Sequence, residues 1–325
     1  MRTRRLRTGV ELTELGLGTA QFGNLFRETT DEESAEAYSA ALAGGIRYVD
    51  TAPHYGLGLS ERRLGDILRR TGTRDAIALS SKVGKLLVDS PETAHRQDDE
   101  GFVVLASVRR AWDFSRTGVL RSVEASLSRL GTDHLDIAYL HDPDDHWDEA
   151  STTGIDALVE LRDQGVVRAI GAGMNQAAML AEFVRRTDVD VVMVAGRLTL
   201  LDQSATTELL PLAVERGVGV VAAAPYNSGL LSRESVPADA HFDYAEAPRE
   251  MVDRARRIAE VCARHGVPLP AAAVQYPLRF AGVVSVVAGA RTADHVRSTT
   301  ERAAVEIPSA LWDELDAEGL APRGP

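Results

Sequence analysis

The sequence predicts an α/β fold: a (β/α)8 barrel of the TIM type, with an N-terminal β-hairpin and an extra C-terminal helix. Three observations predict it. Short apolar runs rich in Val, Ile and Leu recur eight times along the 325 residues. None of them alternates cleanly with polar residues, as befits strands buried on both faces. Helically periodic stretches separate the runs from end to end.

In chain order, RLRTGVELTEL (5–15) reads as a small hairpin turning at Thr8-Gly9, placed to plug the bottom of a barrel. The strand candidates are LGLGT (15–19), IRYVD (46–50), AIALSSK (76–82), LDIAYLH (135–141), VVRAIGA (166–172), DVVMVA (190–195), GVGVVAA (217–223) and VVSVVAG (283–289). Among the helical stretches, 118–130 carries Val119, Val123, Leu127 and Leu130 on one face; others are 151–164, 175–186, 204–216 and 249–265. Residues 306–318 read as a last helix outside the repeat. The longest irregular stretch, 83–117, is polar, carries Asp98, Asp99 and Glu100, and ends in Trp112-Asp113-Phe114. Its aromatics predict a packed flap over the strand ends, where barrels build their active sites. No linker or composition shift divides the chain, so one domain is expected over 1–325.

A net charge of −12 argues against nucleic acid or an anionic membrane as partner. No apolar run approaches the ~18–20 residues of a membrane span. The basic start MRTRRLRTGVEL has no apolar stretch behind it, so a cytoplasmic protein is expected. The single cysteine, Cys262, excludes intrachain disulfides and Cys-rich metal sites, and its helical position among apolar residues points to the core.

Of the 36 basic residues only Lys82 and Lys85 are lysines. A chain so biased toward arginine keeps lysine where guanidinium fails, as a compact charge with an adjustable pKa. Lys82 closes a strand, and other strand ends carry Asp50 and His141, with Tyr55 five residues after Asp50. A free tyrosine titrates near pH 10, too high for efficient proton transfer at neutrality. A neighbouring ammonium stabilises the phenolate, a carboxylate keeps that ammonium charged, and a histidine can polarise a carbonyl oxygen. Such a set suits proton transfer coupled to hydride transfer, with the hydride supplied by a cofactor. A Rossmann pattern at GLGTAQFG fails because its third glycine position is Gln21 and Asp50 lies well beyond the roughly 20 residues expected. His141, Asp142, Asp144, Asp145 and His146 cluster in sequence, but consecutive loop residues diverge and no other strand end offers a histidine, so no metal is expected.

DTAPHYG (50–56), LSSKVG (79–84), YLHDPD (139–144) and IGAGMN (170–175) follow one another as in the aldo-keto reductases, which the chain resembles from GLGTAQFG (16–23) to VVAGARTADHV (286–296). HDPDDH (141–146), GRLTLLDQ (196–203), NSGLL (227–231) and WDFSRTGVLRS (112–122) resemble the branch of bacterial L-fucose, D-threo-aldose (D-arabinose) and pyridoxal dehydrogenases. The resemblance implies a reversible NAD(P)-dependent oxidoreductase acting on a small carbonyl or sugar substrate, as a monomer or small homo-oligomer. It implies Tyr55 as general acid/base, Lys82 and Asp50 as its tuning pair, and His141 orienting the substrate oxygen. Thr19, Asn175, Asn227, Ser228, Gly229, Leu231, Gly289, Arg291 and His295 would meet NAD or NADP, while Phe22, Trp112 and Phe114 either line the substrate pocket or serve as packing. The chain departs from the family at VAGRL (194–198), where a glutamine under the nicotinamide is common, and at AAAPY (222–226), where Tyr226 could replace a stacking aromatic. Arg291 could bind a 2′-phosphate or cap its strand end; with so few cations there, NAD is expected to serve at least as well as NADP. A nucleotide sensor without turnover is the non-enzymatic alternative, since fold alone does not establish activity.

Overall fold

The computed structural model describes residues 1–236, 241–242 and 245–322. The first residues form the expected hairpin: β1 (Thr3–Arg5) pairs antiparallel with β2 (Glu11–Thr13), Thr3 opposite Thr13. After it come β3 (Leu15–Gly18), β4 (Tyr48–Asp50), β5 (Ala78–Val83), β6 (Lys85–Asp89), β7 (Val108–Trp112) and β8 (Leu135–His141). They are followed by β9 (Val167–Met174), β10 (Val191–Ala195), β11 (Gly219–Ala223), β12 (His241–Phe242), β13 (Ala245–Glu246) and β14 (Val283–Gly289). Eight of them close into a parallel barrel in the order β3-β4-β5-β8-β9-β10-β11-β14, with β14 returning to β3. All eight predicted runs are barrel strands.

The helices are α1 (Asp31–Ala43), α2 (Leu59–Thr71), α3 (Arg116–Leu130), α4 (Trp147–Glu149), α5 (Ile155–Asp163) and α6 (Ala177–Arg186). The rest are α7 (Leu209–Arg216), α8 (Arg249–Arg264), α9 (Leu269–Gln275), α10 (Ala293–Ala303) and α11 (Ser309–Ala317). Local chemistry sets several ends. Thr30 and Glu33 form a reciprocal capping box that starts α1, and Gly72, Gly131 and Gly217 close α2, α3 and α7 in left-handed geometry. No helix among the described residues is long and apolar enough to cross a membrane.

Two apolar layers hold the fold. Outside the strands, the helices bury one continuous core that includes Cys262. Inside the barrel, Tyr48, Ile137, Tyr139, Met193 and Val221 pack with Leu6, Val10 and Leu12 of the hairpin. The hairpin therefore plugs the end where the strands begin, and a Cβ on Gly219 would lie 2.4 Å from Leu6 Cδ2. With that end closed, the strand C-termini form the accessible mouth.

Residues 83–117, expected to be irregular, contain the antiparallel ribbon β6–β7, with Lys85 opposite Trp112 and Asp89 opposite Val108. The segment between them returns over the barrel mouth, bridging Leu25 to Phe102. It is the packed flap its aromatics predict.

Candidate active site

Asp50 ends β4, Lys82 lies next to last in β5, His141 ends β8, and Tyr55 stands on the turn after β4. Parallel registry brings these strand ends to one rim. Lys82 Nζ donates to Asp50 Oδ2 at 2.6 Å, to Thr51 O at 3.0 Å and to the Tyr55 hydroxyl at 3.0 Å. The ammonium thus has all three donors engaged. Burial works against this charge, but the Asp50 carboxylate and the Tyr55 hydroxyl outweigh it and hold the lysine pKa above its ordinary value. The His141 ring stands perpendicular to the Tyr55 ring at 6.0 Å between centroids. Burial, followed by the positive charges of Lys85 and Lys82, pushes its pKa well below 6.5, so the imidazole is neutral at physiological pH.

The group is fixed from below and beside. Ser80 Oγ donates to Asp50 Oδ1 at 2.7 Å and lies 3.1 Å from the Tyr48 hydroxyl, which in turn is 3.2 Å from that of Tyr139. Burial raises the pKa of both these tyrosines, so they stay protonated inside the barrel. Thr19 Oγ1 donates to Asp50 O at 2.8 Å. The Tyr55 turn lies directly against the GLGTAQFG loop: Gly56 takes φ +63°, and a Cβ there would sit 2.2 Å from Gly23 O. No larger residue fits either glycine, which explains why the two motifs meet at this point.

Three groups at the site lay outside the sequence expectations. His54 stands edge-on to Tyr55, Phe102 and His141, with ring centroids 5.9, 5.2 and 5.4 Å away. Burial first, then Lys85 and Arg110, pushes its pKa to about 2, so it is neutral too. Phe102, from the flap, closes over His54 and Tyr55. Arg110 grips Asp98 with both terminal nitrogens at 2.6 and 3.1 Å and donates to His54 O at 3.0 Å, which ties the flap to the tyrosine turn. The adjacency of His54 to Tyr55 was the one available signal; the other contacts are long-range.

Besides Thr19, the expected cofactor residues lie at or just after the ends of β9, β11 and β14. Asn227, Ser228 and Gly229 take φ +43°, +55° and +96°, a strained run of the kind found at ligand sites. Asn227 Nδ2 donates to Gly196 O, while its buried Oδ1 finds no partner among the described residues; the same is true of the Tyr226 hydroxyl and Gln21 Oε1. A Cβ on Gly289 would meet the Gln21 amide at 2.7 Å, so the end of β14 is kept bare beside an unused acceptor. Unsatisfied polar atoms and strained backbone at one rim fit a polar dinucleotide. Asn175 is half-buried just past β9, His295 is in the first turn of α10, and Leu231 is a buried anchor of its loop.

Arg291, Phe22 and Phe114 take the structural one of their two readings. Arg291 is 6% exposed and donates to Leu25 O at 2.6 Å, Arg27 O at 2.8 Å, Glu28 O at 3.2 Å and the Thr29 hydroxyl. Its guanidinium fastens the 25–29 loop to the end of β14 instead of facing outward for a phosphate. Phe22 and Phe114 are fully buried members of the outer core and line no open pocket. Phe114 packs against Gly84, which takes φ +98°; a Cβ there would lie 2.0 Å from the ring. Trp112 is 45% exposed at the mouth. Among the described residues no cluster of three His, Cys, Asp or Glu side chains is arranged to hold a metal; His146 instead stacks on Trp112.

Known proteins are similar to this chain over nearly its whole length. A D-threo-aldose 1-dehydrogenase of Pseudomonas sp is 46% identical over 317 residues, covering 97% of this chain and 96% of that protein. Pyridoxal 4-dehydrogenase of Microbacterium luteolum is 36% identical over 331 residues, covering 97% and 96%. The holo form of aldo-keto reductase AKR11C1 from Bacillus halodurans superposes with a TM-score of 0.77 at 28% identity, covering 99% of this chain and 97% of that one. The model of the Aldo/keto reductase family matches residues 14–318. The chain belongs to the aldo/keto reductase family, and is an NAD(P)-dependent carbonyl oxidoreductase.

Proposed function

We propose that the chain is a sugar 1-dehydrogenase, oxidising the anomeric carbon of an aldose hemiacetal to a lactone, with the reverse carbonyl reduction available to the same site. The observation that carries the mechanism is the Lys82 ammonium shared between the Asp50 carboxylate and the Tyr55 hydroxyl. NAD or NADP, when bound, takes up or supplies the hydride.

The chain's own residues handle the proton. In oxidation, Tyr55 as phenolate accepts the proton of the anomeric hydroxyl; in reduction, its hydroxyl protonates the carbonyl oxygen. The Lys82 charge stabilises the phenolate stage, and its raised pKa keeps the lysine protonated, so Tyr55 and not Lys82 is the proton carrier. Neutral His141 offers a hydrogen bond to the substrate oxygen without contributing a competing charge. Phe102 and His54 exclude water from the tyrosine. Thr19, Asn175, Asn227, Ser228, Gly229, Leu231, Gly289 and His295 form the nucleotide side, Thr19 and Leu231 through their backbone positions. Arg291 acts there by holding the 25–29 loop. Trp112 faces the substrate; Phe22 and Phe114 support from behind.

The 46% identity to the aldose 1-dehydrogenase across nearly the whole of both chains supports the sugar, and the 36% relative keeps pyridoxal as the second substrate to try. Incubating the enzyme with a panel of aldoses and with pyridoxal, each with NAD and with NADP, and following absorbance of the reduced nicotinamide tests the reading. Turnover on aldoses supports it. Turnover confined to pyridoxal or to simple aldehydes rejects the sugar but leaves the family standing.

A further inference from the structure

The second lysine stands in a cluster that the proton-transfer group does not use. Lys85 opens β6 opposite Trp112 in the ribbon register. Its Nζ donates to Asp142 Oδ2 at 2.7 Å and lies 4.6 Å from the Trp112 ring centroid. No other acceptor for this ammonium occurs among the described residues, so donors remain to it. The Lys85 side chain is 7% exposed, whereas that of Asp142 is 38% exposed. Asp142 takes φ +43°, a left-handed backbone that a non-glycine residue adopts only against resistance. The carboxylate lies against Lys85, with its Oδ2 3.5 Å from His141 Nε2.

We propose that Lys85, Asp142 and Trp112 form the specificity subsite for a polyhydroxylated substrate, reading its hydroxyls and its carbon face beyond the reacting carbon. The inference rests on the aldose reading above and names the residues that make it selective. Position comes first: Asp142 directly follows His141, so the pair meets the substrate next to the oxygen that His141 orients. Chemistry comes second. Each sugar hydroxyl both donates and accepts, and a fixed ammonium–carboxylate pair offers a donor and an acceptor side by side. The exposed indole beside it supplies an apolar platform for the C–H face of the ring, and its stacking on His146, with ring centroids 5.1 Å apart, holds that platform still. Charge comes third. The pair is neutral overall, so it favours a neutral polyol over a phosphorylated or carboxylated one. A hydroxyl-free aldehyde makes no hydrogen bond to either member of the pair, and its binding would desolvate the remaining Lys85 donors and the outer face of the Asp142 carboxylate without compensation.

The test compares kcat/KM for the best aldose of the panel with kcat/KM for butanal reduction, in the unmodified enzyme and in Lys85→Met and Trp112→Ala. The aldose-to-butanal ratio is expected to fall about 10- to 100-fold in Lys85→Met, the usual effect of removing a hydrogen bond to a charged group. The fall is expected mainly in KM, with nucleotide Kd by fluorescence unchanged. Trp112→Ala is expected to lower the same ratio; because the indole is at the surface, this variant carries the test if Lys85→Met does not fold. A ratio unchanged in either folded variant overturns the inference while leaving the sugar reading intact. Preference for D-arabinose 5-phosphate over D-arabinose also overturns it. An unmodified enzyme that reduces butanal but oxidises no aldose rejects the sugar reading itself, and the inference with it.

Discussion

Replacing Asp50 with asparagine keeps the shape of the buried pair and removes its negative charge. Lys82 then retains Thr51 O and the Tyr55 hydroxyl as acceptors but loses the carboxylate 2.6 Å from its Nζ. Breaking a buried ion pair by losing one partner costs about 3–5 kcal/mol. At about 1.4 kcal/mol per decade of rate, roughly two to three and a half decades of kcat/KM are at stake if the whole loss falls on the transition state. The pH profile is the sharper readout. In the native chain burial opposes the ammonium and Asp50 together with Tyr55 outweighs it, so the folded pKa lies above the unfolded one. The lysine's contribution to stability is therefore complete below the unfolded pKa and disappears only as pH rises through the folded one. In Asp50→Asn, burial is opposed only by Thr51 O and the Tyr55 hydroxyl, so the ammonium deprotonates at lower pH than in the native chain, and the charge facing Tyr55 goes with it. The assay is kcat/KM against pH from neutrality into the alkaline range, paired with denaturant unfolding at each pH. The alkaline limb is expected to move to lower pH together with the loss of stability. A limb that stays in place while rate drops uniformly would refute the claim that Asp50 sets the lysine's charge.

Other predictions follow from neighbouring features. Arg291→Ala frees the 25–29 loop, so KM should rise by similar factors for NAD and NADP; a rise confined to NADP would show that the guanidinium reaches a 2′-phosphate. Leu6→Ala opens the plug and should lower stability by about 2–4 kcal/mol without changing KM, because its effect is confined to the closed end of the barrel. His54 is held neutral with a pKa of about 2, whereas in the unfolded chain it takes up a proton below about pH 6.5. Stability is thus lost as pH falls from about 6.5, and His54→Gln should flatten that slope in acid unfolding curves.

Much of this architecture is legible in the sequence because parallel strands buried on both faces leave unbroken apolar runs. All eight runs fall on barrel strands, and a polar residue at the end of such a run can only face the rim. Asp50, Lys82 and His141 are readable for that reason. The ribbon β6–β7 is not, because KLLVD and VRRAW mix charges with apolar residues and pair only across an intervening flap. Helix α9 is masked by Pro268 and Pro270, which punctuate its start although proline is tolerated in a first turn. Arg291 shows the limit most plainly. An arginine at a strand end carries the same signal whether it turns to a ligand or to the loop carbonyls it holds here. Ser80 and the Arg110–Asp98 clamp likewise have partners that only the closed barrel and the folded flap supply.

Tyr55 carries the proton while the nucleotide side of the rim binds independently. Single-turnover and steady-state rates of Tyr55→Phe, measured alongside nucleotide Kd, test it most directly. In Tyr55→Phe, kcat is expected to fall about 10²- to 10⁴-fold, the range for losing a general acid/base, with Kd essentially unchanged. Turnover at the unmodified rate in a variant that has lost the phenolic hydroxyl would contradict it.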